Sequence, residues 1–295
     1  MLSWLLNFLN VVFLMTLGVF NPEHDLCLAK GRWNYVPPQS AVDFAHRDAQ
    51  AVMGVLYPDA VCCSVYDVAE NLSTLNSQLS TVIAWGWDAV VKHELLKRGV
   101  PESLLPTDEE INTIRELQHR ATVLPLQPDC HAVHSVEEME TLLHEREHWV
   151  MKAPWSGAGR GLRWVHGSLT AIDRDWLLKT VSAQRCVIAE PRRDVTADVA
   201  LEYKEGAFMG YSYFKTGSGV YKENIMWPDE KIEATFCLQH VRERMGQWLA
   251  ENVWPRYRGP LGVDLMVCAD GSVHLAEMNF RHTMGMVAHA KINGL

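Results

Sequence analysis

Pro260-Leu-Gly-Val-Asp264-Leu-Met-Val-Cys268-Ala-Asp270-Gly271-Ser-Val-His-Leu-Ala-Glu277-Met-Asn279-Phe-Arg281 reads as two apolar strands joined at Asp270-Gly271. Asp and Gly both tolerate the positive φ of a two-residue type I′ turn. Folding on that turn sets Asp264 directly across from Glu277, and strand alternation puts Asn279 on the face of Glu277, diagonal to Asp264. Opposed carboxylates repel, so the pair needs a cation. An all-oxygen donor set selects a hard ion, Mg²⁺ or alternatively Mn²⁺, which completes its shell with waters and substrate phosphates. The competing reading is an exposed hairpin whose charges only keep it soluble.

Working outward, His148-Trp-Val-Met-Lys152-Ala-Pro-Trp-Ser156-Gly157-Ala-Gly159-Arg160-Gly161-Leu-Arg-Trp-Val165 reads as strand, glycine-rich loop, strand. Lys152 ends an apolar run and aims its ammonium at the loop. Glycines at 157, 159 and 161 let backbone N–H groups approach a phosphate. The spacing is not that of a P-loop, and no helix pattern follows as a dinucleotide fold requires. Alone, such a stretch could be an ordinary turn.

Together these residues resemble the ATP-grasp superfamily over roughly residues 110–290. The resemblance implies that Lys152 and the 156–161 loop, with Ser156 and Arg160, cover the phosphates of ATP. It also implies that Asp264 and the Glu277-Met278-Asn279 motif hold Mg²⁺. Cys186-Val-Ile-Ala-Glu190 through Asp198 resembles the adenine hinge, with Glu190 at the adenine edge and Asp198 at the ribose hydroxyls. Arg281 matches a basic residue touching the transferred phosphate or the substrate's acyl group. An upstream phosphate-binding lysine has no clean counterpart, and Arg120, after a helical run from Glu109 to His119, is the substitute. The expected fold is α/β, α+β in its C-terminal half, with an N-terminal α/β domain before the ATP-grasp domain. The implied activity is a Mg-ATP-dependent ligase joining a carboxylate, through an acylphosphate, to an amine or similar nucleophile. A small-molecule kinase and a non-catalytic nucleotide-binding protein are the alternatives.

Composition agrees with a cytoplasmic enzyme. The 295 residues suggest two domain-sized units, 48% hydrophobic residues suffice for a sizeable core, and the net charge of −9 without a basic stripe argues against nucleic acid. Seven cysteines with no CxxC pair indicate buried thiols rather than a disulfide framework. Residues 1–14 are almost wholly apolar yet lack the basic flank of a signal or span. They read as an extension before a first strand at Met15, a membrane anchor being the alternative. Residues 15–105 form the expected N-terminal unit, with strands near 16–20, 60–65 and 81–85 and helices at 41–56 and 89–98. Residues 106–295 form the second, with a glycine-loop lobe at about 148–215 and a metal-binding lobe at about 216–295. Helices are expected at 136–147 and 172–182, two strands between Glu202 and Met226, and one long helix over 229–252. A turn is expected at Gly285, with more helix after it.

His24 and Trp87, in polar clusters at strand ends, join Tyr221 and Asn224 as candidate contacts for a small-molecule acceptor. His144-Glu-Arg-Glu-His148 matches the zinc-protease pattern H-E-x-x-H. That pattern needs a helix running through both histidines, whereas this one gives way to the strand carrying Lys152.

Overall fold

The computed structural model describes residues 14–68, 79–156, 161–217 and 220–293. The apolar start and the loop residues Gly157, Gly159 and Arg160 lie outside them. Among the described residues the strands form three sheets.

The first sheet is parallel, with β1 (Met15–Phe20) between β2 (Val61–Ser64) and β3 (Leu79–Ala84). Helices α1 (His24–Lys30), α2 (Gln39–Leu56) and α3 (Ala89–Lys97) return the chain between or after these strands. Asp88 caps α3 by accepting from the Val90 and Val91 N–H groups, at 2.9 and 3.0 Å. A Thr107–Glu110 capping box then opens α4 (Asp108–Leu117).

The second sheet is antiparallel, with β4 (His131–Val133), β5 (His148–Lys152), β6 (Leu162–His166) and β7 (Val187–Pro191) in the order β4-β7-β5-β6. Trp149 and Met151 point into a core shared with α5 (Val136–Glu145) and α6 (Ala171–Gln184), so alternation turns Val150 and Lys152 to the other face.

The third sheet orders β8 (Val195–Lys204), β9 (Ala207–Gly217), β10 (Val220–Ile225), β11 (Pro260–Cys268) and β12 (Val273–Asn279) as β10-β9-β8-β11-β12, antiparallel throughout. Ala197, Val199 and Leu201 of β8 and Leu261, Val263 and Leu265 of β11 pack into the largest core. Period-two alternation therefore presents Asp198, Glu202 and Asp264 on the opposite face. The expected long helix is two, α7 (Asp229–Phe236) and α8 (Gln239–Asn252). Cys237 breaks it with a left-handed φ of 52°, which seats the fully buried Leu238 in the core. Gly285 is not a turn but lies inside α9 (Met284–Asn293).

The hairpin departs from its expected turn. Gly271 N–H donates to Cys268 O, Cys268 N–H donates to Ser272 O, and Gly271 has a φ of 81° while Asp270 keeps a negative one. The loop is thus three residues, Ala269 to Gly271, a type I turn closed by a left-handed glycine. It slips the pairing to Leu265 opposite Leu275, and a bulge at Ala276 restores Asp264 opposite Glu277. No disulfide forms among the described residues, and six of the seven cysteines are buried. No described helix is long and apolar enough to cross a membrane.

Candidate active site

The inner faces of the second and third sheets enclose a cavity of about 450 Å³. Lys152 Nζ stands 2.8 Å from Glu190 Oε2, both side chains almost fully buried where β5 pairs with β7. Arg120 begins a 3-10 turn after α4. It donates from Nη1 to Ala153 O at 2.6 Å and Ser156 Oγ at 2.9 Å, and from Nη2 to the Glu277 carboxylate. One guanidinium thereby ties the glycine-loop stem to the acidic hairpin. Gly161 fits against Ser156 only because it lacks a Cβ, which would fall 2.3 Å from the Ser156 Cβ. Asp198 accepts from Thr216 Oγ1 at 2.6 Å, and burial raises its carboxyl above the usual range.

Asp264 and Glu277 face each other across β11 and β12, and Asn279 Nδ2 donates to Asp264 Oδ2 at 3.0 Å. Burial and the negative neighbours Glu277 and Glu202 push the Asp264 carboxyl well above its ordinary range. The pair is a buried like-charge cluster, and its all-oxygen donors would suit a hard divalent ion. Glu277 shares its carboxylate with Arg120, and Asn279 Oδ1 accepts from Arg281 Nη2 at 3.1 Å.

A second chamber of about 290 Å³ adjoins the first and shares Asp264, Glu277, Phe214 and Thr216 with it. Arg281 lies at its edge, its guanidinium held by both oxygens of Asp25 at 2.9 and 3.1 Å. Tyr221 and Asn224 line it, as do Phe20, Phe44 and Trp85. The structure puts His24 elsewhere. Its ring is 0% exposed, 3.2 Å from Asp88, and packed under Gly86, so it presents no surface to an acceptor. Trp87 lies on the seam between two cores and lines neither chamber. Sequence reasoning missed Glu202, which lines the second chamber and accepts from Ser212 Oγ and Thr283 Oγ1 at 2.9 Å each. Its even spacing from Asp198 on one strand was the available signal.

No known family profile matches the chain, and no curated protein matches it in sequence. Solved structures do. D-cycloserine synthetase DcsG superposes with a TM-score of 0.58 at 13% identity, over 94% of this chain and 98% of its own. An N5-carboxyaminoimidazole synthetase from Staphylococcus aureus complexed with ADP gives 0.53 at 13% identity, over 91% and 71%. Biotin carboxylase from Campylobacter jejuni gives 0.53 at 11% identity, over 97% and 70%. This is the ATP-grasp fold. At such identities the likeness establishes architecture alone. The first cavity lies between the sheet that carries Lys152 and the sheet that carries the Asp264–Glu277 hairpin.

Proposed function

We propose that this chain binds Mg·ATP in the larger cavity and activates a carboxylate for attack by an amine. One observation carries the reading: two cations, Lys152 and Arg120, and the acidic pair Asp264–Glu277 line one cavity, and a second chamber opens from that pair. The Staphylococcus aureus neighbour, a synthetase crystallised with ADP, supports a nucleotide there.

In this reading Glu190 takes the adenine edge and Asp198 the ribose hydroxyls. Lys152, Arg120, Ser156 and Gly161, with Gly157, Gly159 and Arg160, take the phosphates. Asp264, Glu277 and Asn279 would hold Mg²⁺, which would supply neutralisation of phosphate charge. Arg120, which holds the Glu277 carboxylate in this structure, would turn to phosphate oxygens when nucleotide is bound. Arg281 and Lys152 steady the transferred phosphoryl group, and Tyr221 and Asn224 face the acceptor. The γ-phosphoryl group passes to a carboxylate oxygen, leaving ADP. The amine then attacks the acyl carbon and releases phosphate. Catalysis is chiefly positioning and charge neutralisation.

The test is phosphate release from Mg·ATP against a panel of carboxylic and amino acids, with calorimetry of ATP binding. Glu277→Ala should abolish turnover with the fold intact. Lys152→Ala should weaken nucleotide binding or turnover by about ten- to several-hundredfold, and Lys152→Arg should recover part of it. A folded Glu277→Ala protein that turns over like the parent overturns the metal assignment. A parent protein that binds no ATP overturns the function.

A further inference from the structure

We infer that Glu147, His148 and His166 form a binding site for a borderline divalent ion of the Zn²⁺ class, at the end of the β5–β6 pair remote from the glycine loop. His148 and His166 are direct cross-strand partners, with ring centroids 4.4 Å apart. Glu147 reaches both: its Oε1 is 3.0 Å from His166 Nε2 and its Oε2 is 3.9 Å from His148 Nε2. One ligand atom from each of the three residues lies within 4.8 Å of the others. Tetrahedral zinc, with Zn–N and Zn–O near 2.0–2.2 Å, places its ligand atoms about 3.3 Å apart, so small side-chain rotations close the set.

The choice of nitrogen is fixed as well. His148 Nδ1 is enclosed and has no hydrogen-bond partner among the described residues, which leaves Nε2 as the ring nitrogen able to meet an ion from outside. The backbone holds the third residue in place. Gly167, at a φ of +68°, turns the chain after His166 and donates its N–H to Glu147 O at 2.8 Å. Two imidazoles and one carboxylate suit zinc and its neighbours and disfavour Mg²⁺, which prefers oxygen donors. Side-chain exposures of 44% to 66% leave room for water as the remaining ligand. The zinc-protease pattern thus fails as a helix motif, because α5 ends at Glu145, yet its last two residues take part in a different constellation.

The site has a structural consequence. β6 is the edge strand of its sheet, and its opposite end pairs Leu162 with Lys152, where the glycine loop leaves the sheet. An ion on His148 and His166 staples the stem of that loop from below. The inference is independent of the nucleotide reading, so either can fail alone.

The test is calorimetric titration of the chelator-stripped full chain with ZnCl₂ in excess Mg²⁺, beside His166→Ala and Glu147→Gln. Both substituted side chains are more than 60% exposed, so the variants should fold, which circular dichroism verifies. The parent should take up one Zn²⁺ that the variants bind at least about tenfold more weakly. Zn²⁺ should also slow amide exchange in 162–166 of the parent but not of His166→Ala. Equal zinc stoichiometry and affinity in the parent and His166→Ala, or no uptake by the parent, overturns the site.

Discussion

Glu202 sits 1% exposed on the floor of the second chamber, where burial outweighs two hydroxyl donors and holds its carboxyl at about 7. A carboxyl raised above its unfolded value stabilises the fold below the unfolded value. That contribution is lost as pH climbs through the folded one. The parent should therefore lose stability relative to Glu202→Gln between about pH 4.5 and 7, by on the order of 2–3 kcal/mol. His282 works in the opposite sense. Buried against Trp85 O, it is lowered to about 4, so its contribution is present above the unfolded value and lost as pH falls through about 4. Urea midpoints of parent and variant at pH 5 and pH 8 give the answer, and an equal difference at both would show that Glu202 is ionised throughout. Residue types announced much of this site, but accessibility did not. Asp264 and Glu277 carried their positions in the pattern of a hairpin. His24 looked like a loop residue near a ligand, and only the packing of Gly86 against its ring reveals a core histidine.

The hairpin shows what patterns convey and what they omit at the scale of an element. Alternation identified both strands and the facing pair, yet the turn was longer than expected and the bulge at Ala276 cancelled the error. Nothing local in Leu275-Ala276-Glu277 marks a bulge, because it answers to the register of the whole ribbon. Likewise the apolar period over 229–252 continues through a break that the burial of Leu238 imposes. Gly271 gives a clean test of the turn, since an added Cβ would meet nothing within 4 Å among the described residues and the cost is backbone strain at φ +81°. Gly271→Ala should destabilise by about 1 kcal/mol, measured by urea denaturation. A neutral result would mean that the turn readily adopts another geometry and that the register at Asp264 is set elsewhere.

Across the whole molecule, the N-terminal sheet is fastened to the C-terminal hairpin by a few polar ties over an apolar seam. Arg281 binds Asp25, His282 Nδ1–H donates to Trp85 O while its Nε2 meets Tyr57 Oη, and Val287 joins Phe20, Met53 and Trp85. Removing one partner of the Asp25–Arg281 pair strands the other charge. With side chains only 14% and 18% exposed, Asp25→Ala should cost about 2–4 kcal/mol, below the full range for a fully buried pair. A loss under about 0.5 kcal/mol in thermal or urea unfolding would class it as a surface pair. The arrangement of resting ion pairs has a kinetic consequence too. Lys152, Arg120, Arg193 and Arg281 are each already engaged by a carboxylate, which leaves Arg192 as the unpaired cation among the described lining residues, in a chain whose net charge is −9. Little long-range field is left to draw a polyanion inward, so a nucleotide meets this protein by unaided diffusion or against mild repulsion. Stopped-flow association of a fluorescent nucleotide should then hold level or quicken as NaCl rises from about 0.02 to 0.2 M, because shortening the Debye length screens repulsion rather than attraction. A steep slowing with salt would reveal electrostatic steering, with the unpaired Arg192 of the cavity lining as its source.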